Sequence, residues 1–472
     1  MISERLQRAK YVIGDYLSST LALLAFYCTR YWMDAVYGNF DTVFDYLRMP
    51  MVMAGMLLFP ILMMGVYYLS GYYNEVFRKS RLQEFFTTLW SAMANTLIVY
   101  FLALINDAVF ERTLNYELIL LLWGLLFVFV YIVRLCITSD ASRRIKNRQW
   151  KFNTLMVGRG SAAVAFVNKL NNMRHSTGYH VVGFVSIPGE NDVKDLDYPG
   201  YQLDEIAAVC EREKIHEIIV VPTRQDQSAI MSTVNKLFAL NLPIMVSPDK
   251  MNLPLSRVRL SNIYGDPLVD ISRGSYSEFS KNIKRLIDIV VSAIMLILLI
   301  PVYLIVALCI KLDSRGPVLF LQERVGYRNH LFTIVKFRTM VPDAEEGGVP
   351  RLSSDNDPRV TRVGRFMRKY RIDELPQFWN VLRGDMSLVG PRPERQYFVD
   401  QILKKAPSYA LLHQVRPGIT SLGMVQYGYA RNVDEMVERM AYDLMYLENM
   451  SLLNDIKILI FTVKIVFTGR GM

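Results

Sequence analysis

The sequence predicts a membrane protein of mixed α and α/β structure, and three observations support this fold class. Four apolar stretches near the N-terminus are each about as long as a membrane-crossing helix. Strand-like and helix-like segments then alternate, and a proline-interrupted apolar stretch precedes a basic C-terminal region. We therefore expect a four-helix transmembrane bundle at 1–150, an α/β domain at 151–250, a connector at 251–280, and a re-entrant membrane helix with a basic domain at 281–472.

The composition combines membrane and soluble character. Of the 472 residues, 52% are hydrophobic, the mean hydropathy is +0.19 and the formal net charge is +10. A positive balance suits nucleic acid, anionic lipid or phosphorylated substrates, and the apolar segments favour lipid and phosphate over nucleic acid. The four cysteines are scattered and form no Cys-x-x-Cys pair, so we expect neither a disulfide framework nor a zinc site.

The apolar segments of the bundle lie at about 11–29, 47–69, 85–105 and 117–137. Basic residues precede the first segment, separate the second from the third and follow the fourth, whereas the other two loops are poor in Lys and Arg. The positive-inside rule therefore places both ends of the bundle in the cytoplasm. Charge within the segments looks almost absent, which favours an anchoring or dimerising bundle over a substrate path.

The α/β domain is predicted from strands at 152–157, 181–185, 217–221 and 243–246, with helices at 203–214 and 228–240. After the first strand, Gly158-x-Gly160-x-x-Ala163 has the form of a dinucleotide fingerprint and makes the domain Rossmann-like. The acid expected at the end of the second strand is missing, because Val185 is followed by Ser-Ile-Pro. Cofactor binding at Gly158, Gly160 and Ala163 is thus one of two interpretations of this loop. Glycines needed only for strand-to-helix packing are the alternative, and a regulatory or oligomerising role is favoured.

The fifth apolar segment, Leu286–Ile310, is interrupted by Pro301 and has basic residues on both sides. A spanning helix would put one basic flank outside the cell, against the charge rule. Proline removes a helical hydrogen bond and bends the chain. We therefore expect a helix that enters one leaflet, breaks at Pro301 and returns to the cytoplasmic face; the alternative is a kinked spanning helix.

The stretch 371–394 carries the pattern that points to chemistry. Asp373 and Glu374 are followed by Pro376 and an apolar run up to Gly384, which predicts a short helix from about Glu374 to Arg383 with both acids at its N-terminus. In Gly390-Pro-Arg-Pro393 the prolines stiffen the presentation of Arg392, which suits a phosphate clamp. Separately the two motifs could be a helix cap and a turn. Together, in a basic domain, they favour a phosphate-handling site.

Three segments closely resemble the bacterial sugar transferases: 311–326, Lys336-Phe-Arg-Thr-Met340 and 373–393. These are polyprenyl-phosphate phosphoglycosyl transferases that start exopolysaccharide, capsule and O-antigen assembly at the bacterial inner membrane. The resemblance covers about residues 280–472, and the front half looks like the long-form members. It implies a catalytic domain on the cytoplasmic face of that membrane.

The resemblance also implies a mechanism. Asp373 would be a nucleophile that attacks the β-phosphate of a UDP-sugar, expels UMP and carries the sugar phosphate until undecaprenyl phosphate accepts it. Glu374 would help to hold Mg²⁺, Lys336, Arg368 and Arg392 match family positions near the phosphates, and Pro301 matches the family's helix break. By family analogy the sugar is expected to be glucose or galactose.

Several weaker predictions complete the set. Arg338, in the Lys336 motif, is a candidate phosphate contact, and Asp357, Arg359 and Arg362 are candidate contacts from a substrate loop. For Lys336 and Arg368, solvated surface positions are the alternative. The tail at 452–467 is predicted to be an interfacial amphipathic helix, with a packed core helix as the alternative. We also expect a homodimer.

Two other functions are weighed against the transferase. The first is a non-catalytic, nucleotide-sensing membrane scaffold of polysaccharide synthesis. The second is a nicotinamide-dependent sugar-nucleotide enzyme. The missing acid after Val185 argues against the second.

Overall fold

The computed structural model describes residues 4–33, 40–77, 79–104, 112–173, 176–189, 193, 197–223, 226–247, 268–271, 276–341, 344 and 357–468. The chain divides into two compact units. The first consists of Met1–Lys151, Arg174–Gly178 and Lys281–Ile283, and the second of Phe152–Met173, Tyr179–Ser280 and Lys284–Met472. The predicted connector at 251–280 lies largely outside the described residues.

The first unit is helical. Its helices are α1 (Glu4–Trp32), α2 (Val43–Leu47), α3 (Pro50–Leu69), α4 (Arg81–Val99), which continues as a π-helical turn at Tyr100–Leu104, and α5 (Arg112–Lys146). By length and composition, four helices among the described residues of this unit could cross a membrane: Glu4–Trp32, Pro50–Leu69, Arg81–Ala103 and Tyr116–Lys146. The prediction of four long apolar helices is therefore confirmed.

The expectation that charge is almost absent within these helices is wrong. Asp15 of α1 and Arg134 of α5 form a two-pronged ion pair, with N–O distances of 2.8 and 2.7 Å, and both side chains are fully buried. Nearby, the buried Glu84 of α4 accepts hydrogen bonds from Tyr72 and, at 2.7 Å, from Thr138. This ion pair could not be predicted from neighbouring residues in the sequence, because its partners are 119 residues apart.

The second unit begins with a six-stranded sheet. Its strands are β1 (Phe152–Val157), β2 (Tyr179–Val185), β3 (Gly200–Tyr201), β4 (Glu217–Val220), β5 (Ile244–Val246) and β6 (Val269–Asp270). The strand order is β3-β2-β1-β4-β5-β6, and all neighbours are parallel except the antiparallel pair β5–β6. The connecting helices are α6 (Ser161–Asn171), α7 (Ile206–Arg212) and α8 (Gln227–Phe238). The helix predicted from residue 203 starts as a 3₁₀ turn at Leu203–Glu205, so α7 is shorter than expected.

The glycine-rich loop after β1 is tightly packed. Gly158 has a φ of +112°, in the region that favours glycine, and Gly160 is the N-cap of α6. A Cβ at Gly160 would collide with the side chain of Thr223, and Ala163 is fully buried. Close packing alone therefore accounts for Gly160.

The helix break predicted near Pro301 is present. Helices α9 (Glu278–Leu298) and α10 (Ile300–Asp313) are bent by 59° at Leu299. Pro301 lies in the first turn of α10, where its missing N–H would have had no helical partner.

The elements after the bent pair carry the candidate site. They are β7 (Leu319–Val325), β8 (Leu331–Phe337), α11 (Arg362–Lys369), a 3₁₀ turn (Ile372–Glu374), α12 (Gln377–Arg383), β9 (Ser387–Val389), α13 (Gln396–Lys405), a 3₁₀ helix (Pro407–Gln414), β10 (Gly418–Thr420), α14 (Leu422–Gln426), α15 (Val433–Glu448) and α16 (Leu452–Thr468). Strands β7 and β8 form an antiparallel hairpin, and β9 pairs with β10 in parallel.

The helix predicted from Glu374 begins later than expected. Pro376 is its N-cap residue, and the α-helix runs only from Gln377 to Arg383, with Gly384 in the left-handed region after it. Asp373 and Glu374 instead lie in the preceding 3₁₀ turn, which Arg371 enters with a φ of +53°. The prediction was wrong because it placed Pro376 inside the first helical turn, whereas the proline precedes the helix.

The sheet and the C-terminal elements share apolar contacts. Met231 of α8 belongs to the core built mainly from α13, the 3₁₀ helix at Pro407–Gln414 and α15, and Ala410 of that 3₁₀ helix belongs to the core of the sheet. Both side chains are almost completely buried.

Candidate active site

A cavity of about 370 Å³ lies among β7, β8, α11, the turn before α12, the Pro-Arg-Pro loop and α15. The cationic side chains on its described wall are Arg324, Lys336, Arg338, Arg368, Arg392, Arg395 and Arg439. The acidic residues on that wall are Asp373 and Glu394. The surplus of cations suits a polyanionic ligand such as a diphosphate.

Asp373 presents a carboxylate to this cavity. The residue is 8% exposed, and none of the described residues forms an ion pair or hydrogen bond with its carboxylate. Burial, together with the negative charge of Glu374, raises the pKa of Asp373 to about 6. A partly desolvated carboxylate without a direct partner can act as a nucleophile once it is ionised.

Glu374 is placed differently from its neighbour. Its Oε1 lies 3.0 Å from Nζ of Lys336 and 3.4 Å from Nη1 of Arg392, and its Oε2 lies 3.5 Å from Nη1 of Arg371. Burial opposes ionisation, but the charges of Lys336, Arg392 and Arg371 outweigh it and hold the pKa of Glu374 well below its usual range. Burial lowers the pKa of Lys336, and the nearby negative charge of Glu374 offsets only part of this effect.

Tyr429 and Met424 hold the two arginines of this group. The guanidinium carbons of Arg371 and Arg392 lie 5.0 and 5.1 Å from the ring centre of Tyr429, which is within cation–π range. The sulfur of Met424 lies 3.0 Å from Nη1 of Arg392 and 3.8 Å from Nη1 of Arg371. Burial is the main cause of the raised pKa of Tyr429.

Glu394, which directly follows the Pro-Arg-Pro loop, is the centre of a second group of ion pairs. Glu394 accepts from Nη2 of Arg439 at 2.5 Å and from Nη1 of Arg324 at 3.4 Å, and its carboxylate is 3.9 Å from Nε of Arg392. On the same helix as Arg439, Asp443 accepts from the backbone N–H of Gly423 at 2.9 Å. Helix α15 therefore contributes both to the cavity wall and to the support of α14.

The cavity gathers four of the predicted phosphate contacts: Lys336, Arg338, Arg368 and Arg392. Lys336 and Arg392 contact Glu374, and the other two cations have protein partners elsewhere. The guanidinium of Arg338 donates to the carbonyl groups of Arg315 and Ser314, just after α10, at 2.6 and 2.9 Å. Nε of Arg368 donates to Oγ1 of Thr339 at 2.9 Å.

The predicted contacts from 353–364 are not brought to this wall. Asp357 and Arg359 pair with each other at 2.6 Å, and neither is among the described lining residues. Arg362 is an exposed residue at the start of α11. Residues 351–356 lie outside the described part of the chain.

Sequence reasoning missed Arg324, Arg371, Glu394, Tyr429 and Arg439. Glu394 directly follows Pro393, and Arg371 precedes the acidic pair by two residues, so both could have been singled out by position. Arg439 and Tyr429 carried no comparable signal, since Arg439 meets a partner 45 residues away.

The chain matches two family models. Residues 279–469 match the model of the bacterial sugar transferases, and residues 69–248 match that of a CoA-binding domain. It is 30% identical to an uncharacterized sugar transferase of Haemophilus influenzae over 74% of this chain and 76% of that protein. The chain belongs to the bacterial sugar transferase family. The resemblance seen in the sequence is thereby confirmed.

Two further relatives of this chain carry more specific names. It is 44% identical to a UDP-N-acetylgalactosamine-undecaprenyl-phosphate N-acetylgalactosaminephosphotransferase of Aeromonas hydrophila, over 46% of this chain and 50% of that protein. It is 34% identical to a UDP-glucose:undecaprenyl-phosphate glucose-1-phosphate transferase of Escherichia coli, over 62% of this chain and 63% of that protein. The match thus spans from half to just under two thirds of the length of these two relatives.

In this family member, the bent helix pair is hydrogen-bonded to the elements around Asp373. Arg285 of α9 donates to two carbonyl groups in the last turn of α12, at 2.7 and 3.0 Å. Asp288, one turn further along α9, accepts from the N–H of Leu388 in β9 at 3.1 Å, and Tyr303 of α10 donates to the carbonyl of Leu375 at 3.2 Å. These contacts fix the positions of the segments on both sides of the acidic pair.

The surroundings of Glu374 do not suit the role of a metal ligand. Mg²⁺ takes oxygen ligands in near-octahedral geometry, usually one or two carboxylates plus substrate phosphates. Both oxygens of Glu374 already face positively charged nitrogens, so a metal ion there would lie against the cations of the site. Within the described residues, no group of three or more His, Cys, Asp or Glu residues is placed to hold a metal ion.

Proposed function

We propose that this sugar transferase moves hexose-1-phosphate from a UDP-sugar to undecaprenyl phosphate and releases UMP. The observation that supports this most is the carboxylate of Asp373, which faces a cavity whose wall is rich in Lys and Arg. The names of the relatives agree with this type of reaction.

The transfer takes place in two displacements at phosphorus. A carboxylate oxygen of Asp373 attacks the β-phosphorus, the bond from this phosphorus to the oxygen bridging it to the α-phosphorus breaks, and UMP leaves with that oxygen. A phosphate oxygen of undecaprenyl phosphate then attacks the same phosphorus. This second step forms the sugar-diphosphate lipid and returns Asp373 as a carboxylate.

The cations of the wall make such an attack electrostatically feasible. An anionic nucleophile and an anionic diphosphate repel each other, so fixed positive charges must offset that repulsion and stabilise the leaving UMP. Lys336, Arg368 and Arg392 are the residues proposed for this role. We also propose that Mg²⁺ accompanies the diphosphate and supplies further neutralising charge.

The location follows from the two substrates. The four apolar helices are proposed to form a transmembrane bundle, and the bent pair a re-entrant element that holds the cavity at the cytoplasmic surface of the inner membrane. There a soluble UDP-sugar and a lipid phosphate can reach the same carboxylate. The six-stranded sheet is proposed to be a Rossmann-like regulatory or oligomerising domain, and the homodimer stays a prediction.

UMP release tests this function. The purified full chain in nanodiscs is incubated with undecaprenyl phosphate, Mg²⁺ and, in separate reactions, UDP-glucose, UDP-galactose and UDP-N-acetylgalactosamine. We expect release with glucose or galactose as the sugar, no release by Asp373→Asn, and a phosphosugar attached to Asp373 in the wild-type chain when the acceptor is left out. Intact activity of Asp373→Asn would overturn the assignment of the nucleophile. No UMP from any donor would favour the nucleotide-sensing scaffold instead.

A further inference from the structure

Glu374 faces cations of its own chain rather than the cavity. The three nitrogens nearest its carboxylate, from Lys336, Arg392 and Arg371, lie at 3.0, 3.4 and 3.5 Å. The side chain is 4% exposed, and Glu374 is not among the described lining residues, whereas the adjacent Asp373 is. Two neighbouring carboxylates are thus turned to different surroundings.

The arginine at 371 shows why such a counter-ion is needed. Arg371 is 7% exposed, and Glu374 is the ion-pair partner that the described residues provide for it. Its Nε is buried without a hydrogen-bond partner, and its backbone adopts the left-handed conformation. A buried cation is costly without a compensating charge, so removal of Glu374 would leave this guanidinium uncompensated.

The same carboxylate orients two groups of the cavity wall. Lys336 and Arg392 both line the cavity, and both contact Oε1 of Glu374. They approach from different elements, β8 and the Pro-Arg-Pro loop, so Glu374 ties these two elements together. We infer that Glu374 is the counter-ion that positions Lys336, Arg371 and Arg392, and that it is not a ligand of the metal.

This inference deepens the proposed function, because the role of the cations rests on a diphosphate substrate. In it, Asp373 carries out the displacement and Glu374 acts only through the residues that it holds. Any metal ion in the site is then bound without Glu374, chiefly through the diphosphate with which it enters.

Thermal unfolding in EDTA separates a counter-ion from a metal ligand. Without metal, a carboxylate that compensates buried cations still stabilises the fold, so Glu374→Gln should lower the melting midpoint of the full chain in nanodiscs by several degrees. Asp373→Asn is the matched control: it is the adjacent isosteric change at a buried carboxylate without a described ion pair, and we expect no fall. A melting midpoint in EDTA that Glu374→Gln leaves unchanged would overturn the inference.

A charge-balanced variant covers the case in which Glu374→Gln does not fold. Glu374→Gln combined with Arg371→Met removes one charge of each sign from the group. We expect the double variant to fold and to melt at a higher temperature than either single variant that can be measured. A double variant whose losses simply add would contradict the pairing.

Metal binding gives a second readout that needs no turnover. Mn²⁺ is titrated into the wild-type chain and into Glu374→Gln, or into the double variant, and free Mn²⁺ is measured by electron paramagnetic resonance. Equal Mn²⁺ uptake supports the counter-ion, and uptake that depends on Glu374 overturns it. Because neither readout requires turnover, a wild-type chain that releases no UMP would count against the proposed function alone.

Turnover adds a kinetic distinction. For Glu374→Gln we expect kcat for UMP release to fall at least tenfold, because Lys336 and Arg392 are no longer held, while the half-activating Mg²⁺ concentration stays within threefold of wild type. A tenfold rise in that concentration would identify Glu374 as a ligand after all.

Discussion

Arg439 and Glu394 form a buried ion pair of 2.5 Å between α15 and the Pro-Arg-Pro loop. The arginine also lines the cavity, although it lies 66 residues after Asp373. Helix α15 therefore forms part of the wall of the candidate site and does not only support it.

Removing Arg439 should be costly. Arg439→Met leaves Glu394 buried with only weaker partners, and breaking a buried pair from one side typically costs about 3–5 kcal/mol. Thermal unfolding of the full chain measures this loss. The matched control is Lys405→Met, which breaks an equally short but exposed pair with Asp434 and should cost less than about 1 kcal/mol. Equal losses in the two variants would show that the Arg439 pair contributes no more than a surface contact.

Activity should depend on pH through Asp373. The carboxylate attacks only when ionised, and its raised pKa of about 6 means that the protonated form dominates below that pH. We expect UMP release to fall about tenfold for each pH unit below 6 and to level off above 7. Initial rates between pH 5 and 8 measure this, with chain integrity checked at each pH. A rate that stays constant down to pH 5 would show that Asp373 titrates lower than its burial implies.

The same pKa sets the sign of a stability effect. Because the pKa of Asp373 is higher in the folded chain than its ordinary value, the ionised carboxylate opposes folding at pH values above 6. Asp373→Asn should therefore melt at the same or a higher temperature than wild type at pH 8, and the difference should shrink at pH 5. A variant that melts lower at pH 8 would contradict the isolation of this carboxylate.

The buried ion pair of Asp15 and Arg134 should show coupled effects on stability. Asp15→Leu or Arg134→Leu alone leaves one buried charge without its partner, at a cost of about 3–5 kcal/mol. The double variant should be more stable than either single variant, because both charges are gone. Thermal unfolding in nanodiscs measures all three. Asp140→Asn, which removes the partner of the exposed Arg144 in the same helix, should change stability by less than about 0.5 kcal/mol.

The link between the bent helix and β9 gives a prediction about the site. Asp288→Val leaves the N–H of Leu388 buried without its acceptor, which should cost about 1–3 kcal/mol and loosen the strand that leads to Arg392. Asp288→Asn keeps an acceptor oxygen and should retain most of the UMP release. If the two variants lose activity equally, the negative charge of Asp288 matters more than this hydrogen bond.

The sequence singled out those residues of the candidate site that lie close together in the chain. Asp373, Glu374 and Arg392 lie within twenty residues of one another, and Lys336 stands in a motif of its own, so local pattern and family resemblance were sufficient. Arg439 and Tyr429 could not be found in this way, since their contacts join segments that only folding brings together. The buried partners Asp15 and Arg134 were missed for the same reason.

The remaining difference concerns orientation. The sequence pattern predicted that Asp373 and Glu374 lie together at the N-terminus of one helix, with Pro376 inside that helix. The observed 3₁₀ turn directs one carboxylate to the cavity and the other to Lys336, Arg371 and Arg392, and neither direction can be read from residue types.

Met231 of the sheet region packs in the C-terminal core, and Ala410 of the C-terminal region packs in the core of the sheet. This packing has a practical consequence for truncating the protein. A truncated chain starting at residue 281 would lose Met231 and leave an apolar hollow beside the 3₁₀ helix at Pro407–Gln414, whereas the isolated sheet would lack Ala410. Neither fragment would keep the complete hydrophobic core that it has in the full chain. Truncated chains intended to retain activity should keep the sheet and the C-terminal elements on one polypeptide.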